Sequence, residues 1–174
     1  LMTDGTVQAV SAPIIAESIP DGIGYTFDWN SFGTNLAIAM NPNNANQFIA
    51  TYSSNGAFAL GTVSGTTITF GPHISFNDET TTYRDISFAS NGKFAISYRK
   101  NNGHAAIRIG TLIGSTINLG TEVIISSAVS DYNSTVAFDP ADDTKLVTSY
   151  AVSLYGYCKV GTVSGTSVTF GTGV

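Results

Sequence analysis

An all-β fold assembled from repeats is what this sequence predicts, and three observations predict it. A near-constant stretch occurs three times, as GTVSGTTITFG at 61 to 71, GTLIGSTINLG at 110 to 120 and GTVSGTSVTFG at 161 to 171. The copies are 49 and 51 residues apart, and a fixed period of this size marks a repeat architecture. Within each copy, apolar and small or polar residues alternate every second position, the period of a strand with two unlike faces. No window of helical period with caps competes.

The elements follow in order along each unit. First come AMNP (39 to 42), SFAS (87 to 90) and AFDP (137 to 140), which close first strands whose small residues stand between large ones, as in a strand packed on both sides. QFIATY (47 to 52), KFAISY (93 to 98) and KLVTSY (145 to 150) stand in register as second strands. In the third strands, Phe58/Leu60, Ile107/Ile109 and Cys158/Val160 alternate with Ala59, Arg108 and Lys159. In the fourth strands, Ile68/Phe70, Ile117/Leu119 and Val168/Phe170 alternate with Thr or Asn. Ser64-Gly65, Gly114-Ser115 and Ser164-Gly165 supply tight-turn chemistry between third and fourth strands, so these form hairpins. Cys158 takes the place of Phe58 and Ile107, which predicts a buried, inert packing residue.

Four antiparallel strands in about 50 residues match one blade of a β-propeller, with the first strand on the axis and the fourth on the rim. The chain thus reads as a strand at 1–20 that completes a neighbouring blade, then blades at 21–80, 81–128 and 129–174, all in one propeller domain. Rings close with about 4 to 8 blades, so three need a complement. TVQAVSAPII (6 to 15) resembles TINLGTEVII (116 to 125), so the opening segment has the sequence of a fourth strand and its continuation. That pattern predicts a homo-oligomer, a two-fold dimer with six blades being favoured, which sets Ala12 to Ala16 beside Val168 to Phe170 of the partner; further blades of a longer parent chain are the alternative.

Composition removes several functions. Only 19 of 174 residues are charged, while Thr (22), Ser (19) and Gly (18) carry the polarity, and 43% of the chain is hydrophobic, so neither disorder nor coiled coil fits. Three Arg and four Lys within a net charge of -5 make no basic face for nucleic acid or an anionic membrane. No apolar run reaches the ~18 residues of a membrane-inserted helix. The opening LMTDGTVQAV has no basic n-region or apolar h-region and does not begin with Met, so the compartment is not legible from it.

The repeat GTVSGTSVTFG, followed by an apolar segment, a Y-x-x-x-V-x-F-D-P stretch and an aromatic-ended strand, resembles repeats of large structural and tail-associated proteins of marine bacteriophages and of related environmental sequences. The resemblance covers about 21 to 174 and is carried by GTVSGT at 61 to 66 and 161 to 166 and by Val136 to Pro140; the middle unit departs at Ile113 and lacks Asp-Pro after Phe88. It implies a part of a virion or of an extracellular surface, with no catalytic motif to carry over.

In a propeller the loops from fourth to first and from second to third strands share one end. Here these loops differ from unit to unit, whereas the hairpins at the other end are small and uniform, and variation on a constant scaffold is where binding sits. Tyr25, Trp29, Tyr83, Arg84, Arg99, Asn101, His104, Tyr132 and Tyr155 lie in the variable set and are the candidate ligand-binding residues. Aromatic rings beside amide and guanidinium groups suit a glycan, the ring stacking on a pyranose and the polar groups taking its hydroxyls. The competing reading is that these rings pack within the assembly. His73 and His104 have no partners at metal spacing, and Asp139, Asp142 and Asp143 read as turn chemistry before they read as a Ca²⁺ site. There is no G-x-S-x-G elbow, no sialidase-type box and no cofactor motif, so a non-enzymatic module without metal or cofactor is expected, a glycosidase being the less favoured alternative.

Overall fold

The computed structural model describes residues 36–52, 55–128 and 132–172. These are all-β. In the first sheet, β1 (Ala37–Met40), β2 (Gln47–Tyr52), β3 (Ala57–Ser64) and β4 (Thr67–Phe70) pair in sequence order. A short β5 (Ile74–Ser75) then returns to pair with β3 beyond the end of β4. The second sheet repeats the plan with β6 (Thr81–Phe88), β7 (Lys93–Lys100), β8 (Ala105–Ile113), β9 (Thr116–Leu119) and β10 (Val123–Ser126). The third holds β11 (Tyr132–Phe138), β12 (Lys145–Val152), β13 (Tyr155–Ser164) and β14 (Ser167–Phe170). Every pairing is antiparallel.

Two details of the repeat differ from the sequence reading. The third-to-fourth hairpin turns on Gly114-Ser115 in the second sheet, as expected, but on Gly65-Thr66 and Gly165-Thr166 in the first and third, one residue later than expected, because Ser64 pairs with Thr67 and Ser164 with Ser167. Gly65, Gly114 and Gly165 have φ of 61°, 62° and 58°, the left-handed first position of a II′-type turn that a side chain resists. The continuation after the fourth strand pairs with the third, since Val123 faces Ile107 and Ile74 faces Phe58.

The first glycine of the repeat has another cause. Gly61 faces Phe48, Gly110 faces Phe94 and Gly161 faces Leu146 across the second and third strands. The large side chain lies over the glycine, so a Cβ on Gly110 would stand 2.6 and 2.8 Å from Cε1 and Cε2 of Phe94 and nearer still to Cζ. The glycine is thus part of the core.

The sheets stack in chain order. Phe58, Ile49 and Phe76 of the first pack on Phe94, Ile96 and Tyr98 of the second, with Phe58 and Phe94 rings edge to face at 5.9 Å. Ala95, Ile107 and Ile109, on the other face of the second sheet, pack on Val136, Leu146 and Tyr150 of the third. First strands lie beside first strands, β1 by β6 and β6 by β11. Asp85 and Ser87 of β6 bracket the free edge of β11: Asp85 Oδ2 accepts the Val136 N–H at 2.9 Å and Ser87 Oγ accepts that of Phe138 at 3.1 Å.

Cys158 corrects the sequence reading. It is exposed, although Phe58 and Ile107 at the same position of the repeat are fully buried. The alternation is as predicted; what is missing is a cover, because no described sheet packs on that face of the third sheet. The same absence leaves Val147 46% and Val160 56% exposed.

Candidate functional site

The N-terminal ends of β1, β6 and β11 converge on a cleft of about 360 Å³ lined by Leu36, Ala37, Ile38, Tyr83, Arg84, Asp85, Ser134 and Thr135. Its floor is shaped by an irregularity in β6. Thr82 faces Arg99 and Asp85 faces Ser97, so Tyr83 and Arg84 together oppose the single residue Tyr98, the arrangement of a β-bulge. Tyr83 accordingly adopts φ of 50°, a conformation that costs a bulky residue and that bulges near binding sites impose. β11 shifts at the matching place, where Tyr132 faces Ala151 and Ser134 faces Tyr150, leaving Asn133 extra. The bulge belongs to the repeat, and the residues it re-aims vary.

The bulge carries Arg84 into a buried position, where Nη1 donates to the Thr81 carbonyl at 2.8 Å and to Thr81 Oγ1 at 3.1 Å. Burial lowers its pKa from the ordinary arginine value, yet a guanidinium keeps its charge in a protein. Ser134, 2% exposed, lines the same cleft, and its Oγ has no hydrogen-bond partner. Thr82 Oγ1, Ser97 Oγ, Arg108 Nε and Thr148 Oγ1 are buried without a partner in the same way. Asp85 is occupied otherwise, with Oδ1 on the Ile86 N–H and Oδ2 on that of Val136. The cleft therefore combines one cation, hydroxyls, an aromatic ring and the apolar Leu36 and Ile38.

No known family and no curated protein matches this chain.

A second polar centre lies where the β5–β6 loop meets the second sheet. Glu122 accepts from Tyr98 Oη at 2.6 Å and Asn77 Nδ2 at 3.0 Å through Oε2, and from Lys100 Nζ at 2.6 Å through Oε1. Burial opposes the Glu122 carboxylate, but the hydrogen bonds from Lys100 and Tyr98 and the charges of Lys100 and Arg108 outweigh it, so its pKa falls below the ordinary carboxylate range. Burial and then the Glu122 hydrogen bond push the Tyr98 phenol well above its usual value. In the first sheet His73 holds the place of Glu122 and Tyr52 that of Tyr98, with Oη and Nδ1 3.1 Å apart; burial raises the Tyr52 phenol to about 12. Sequence reasoning missed this centre. Its signal was the register of GPHI with GTEV behind the constant Tyr52, Tyr98 and Tyr150 of the second strands. Both oxygens of Glu122 are engaged, so the centre fastens the sheets together.

Of the predicted residues that are described, only two line the cleft. Tyr83 and Arg84 stand at the cleft. Arg99, Asn101 and His104 belong to the β7–β8 hairpin of the second sheet, Asn101 exposed and His104 partly so. Tyr155, 69% exposed, opens β13 in the third sheet. Tyr132 begins β11, its side chain lying outside the description, and Tyr25 and Trp29 fall outside the described residues. At the opposite end of the first strands, Asp139 and Asp142 cap their own turns through Ala141 N and Thr144 N, and Asp143 holds the Ser90 N–H and hydroxyl. Among the described residues no group of His, Cys, Asp and Glu has the geometry to hold a metal ion.

Proposed function

We propose that this chain is a non-enzymatic recognition module, three consecutive blades of a β-propeller in a virion or extracellular surface assembly, that takes a glycan at the end of the first strands. The propeller reading is supported by first strands lying side by side at one end of the stack and by sheets packed face to face in chain order. The surface setting rests on the repeat resemblance. The observation that carries recognition is the cleft, lined at the β6 bulge by Tyr83 and Arg84 and from β11 by Ser134 and Thr135. A ring face, a guanidinium and a hydroxyl are a sugar's complements. The lone carboxylate of the cleft is bonded to two backbone amides, which speaks against acid–base chemistry.

A glycan array with the full chain tests the reading, Tyr83→Ala and Arg84→Gln serving as comparisons and their melting curves as folding controls. Binding that falls at least tenfold in either folded variant is expected, since a hydrogen bond to a charged group contributes roughly 1.5 to 3 kcal/mol. Absence of any bound glycan overturns it. The second reading, a purely structural assembly or spacer part, is favoured by the apolar residues exposed at both ends of the stack, Ile38 and Met40 at one and Val147 and Val160 at the other.

A further inference from the structure

Glu122, Lys100 and Asn77 form a set that the repeat does not call for. Glu122 stands in register with His73 and Lys100 with Ser54, so the first unit has neither the carboxylate nor the amine. The three residues come from separate segments: Asn77 from the loop that leaves the first sheet after β5, Lys100 from the end of β7, and Glu122 from just before β10. Their surroundings are dry. Phe76, next to Asn77, is 1% exposed, Tyr98 is fully buried, and the two rings lie 5.0 Å apart. Asn77 is itself buried, and the side chains of Lys100 and Glu122 are 16% and 19% exposed.

The atoms brought together are chemically complementary. One carboxylate holds both an amine and a carboxamide nitrogen, Lys100 Nζ at 2.6 Å on Oε1 and Asn77 Nδ2 at 3.0 Å on Oε2. The carboxamide oxygen, Asn77 Oδ1, accepts the Glu79 N–H at 2.6 Å. That hydrogen bond draws electrons from Cγ and stabilises the negative charge that develops on Oδ1 when a nucleophile adds there. An amine, a carbonyl polarised by a backbone N–H, and a carboxylate touching both the attacking and the leaving nitrogen are the parts of an amide exchange.

We infer that Lys100 and Asn77 join in an intramolecular isopeptide bond, with Glu122 moving the protons. Glu122 takes a proton from the Lys100 ammonium, and the neutral Nζ adds to Asn77 Cγ, pushing the carbonyl electron pair onto Oδ1 against the Glu79 N–H. Glu122 then passes its proton to Nδ2 and takes another from Nζ. As the carbonyl re-forms, the Cγ–Nδ2 bond breaks and ammonia departs, taking up the remaining proton as ammonium. A lysine ammonium and a carboxamide thus become a secondary amide and an ammonium ion, and Glu122 ends as the carboxylate it began as. The reaction occurs once per chain, so an ion pair that gives up its proton only rarely still completes it, and burial keeps competing water away. The Lys100 charge is lost, but Arg108 and the Tyr98 phenol still favour the ionised Glu122. The bond closes a ring over β6 and β7 and fastens the loop leaving the first sheet to the second. It is independent of the cleft and of glycan binding.

The intact mass of the folded full-length chain tests it. After incubation at neutral pH the chain is expected to weigh one ammonia less than its sequence mass of 18.2 kDa, and digestion should give a branched peptide that joins Asn77 to Lys100. Succinimides at Asn55-Gly56, Asn91-Gly92 or Asn102-Gly103 would lose the same ammonia, but trypsin would then still cut after Lys100. Lys100→Arg keeps a cation without the amine nucleophile and should retain its full mass. Glu122→Gln, with its circular dichroism unchanged, should slow the loss by about a hundredfold or more, the contribution of a positioned acid–base group. If either variant fails to fold, the mass and branched peptide of the unsubstituted chain decide alone. A folded chain that keeps its full mass, a loss of ammonia that leaves Lys100 open to trypsin, or a loss equally fast in folded Glu122→Gln overturns the inference.

Discussion

Replacing Gly110 by Ala tests whether the constant glycine of the repeat is a core residue. The added Cβ would stand 2.6 Å from Cε1 of Phe94, a separation that folded proteins do not tolerate, so the ring must move. It has nowhere to go: Phe94 is fully buried, with Phe58 at 5.9 Å and Phe88 at 5.6 Å between ring centres. Overpacking of this kind costs about 1 to 3 kcal/mol, partly offset by the ~0.5 to 1 kcal/mol by which Ala exceeds Gly inside a strand. The net is a loss centred on about 1 kcal/mol and at most about 2.5 kcal/mol, or a melting point lower by about 2 to 4 °C and at most about 10 °C in a chain of this size. Urea denaturation gives the free energy, and Phe94→Leu gives the mechanism. That change copies the Leu146–Gly161 pair of the third sheet, so in the Gly110→Ala background it should recover at least about 0.5 kcal/mol relative to its effect alone, the size of coupling expected of touching residues. A Gly110→Ala protein with an unchanged urea midpoint, or strictly additive behaviour of the pair, would refute the reasoning.

Two further expectations concern protons. Glu122 titrates below its ordinary value of 4.5 in the folded state, so the stability it contributes is complete above that value and is lost as pH falls through the folded pKa; Glu122→Gln should flatten that acid limb in melts recorded between pH 5 and 2. Tyr52 shifts the other way, from 10.0 to about 12, so its contribution is complete below pH 10 and disappears as pH rises through the folded value; absorbance titration at alkaline pH should show a late-ionising phenol that Tyr52→Phe removes.

The repeat made the strands legible, because a two-residue period and a turn glycine are local properties that neighbours do not alter. Cys158 shows where such reading stops: periodicity assigns a residue to a face, and only the next sheet decides whether that face is dry. The one-residue shift of the hairpin in the first and third units follows from a requirement for positive φ at the first turn position, met by Gly65 and Gly165 as by Gly114 in the second, which disfavours Ser64 and Ser164 there. Tyr83 and Arg84 were visible as variable residues before a first strand, but the bulge that aims them is set by pairing with the following strand, β7. Glu122 was missed because its partners Asn77, Tyr98 and Lys100 come from other segments of the chain, and a single carboxylate in a loop carries no pattern of its own.

The central claim is that consecutive repeats stack with their first strands side by side, and the amide exchange of Val136 and Phe138 reads it most directly. Both N–H groups lie on the edge of β11 that no backbone strand pairs among the described residues, and Asp85 Oδ2 and Ser87 Oγ of the preceding repeat accept them. Nuclear magnetic resonance should find both amides protected in the unsubstituted protein, with Ser87→Ala speeding exchange at Phe138 by about five- to tenfold and Asp85→Ala doing so at Val136, the equivalent of a hydrogen bond of ~1 to 1.5 kcal/mol. Rapid exchange of both in the unsubstituted protein, or rates indifferent to either substitution in a folded chain, would contradict the stacked arrangement.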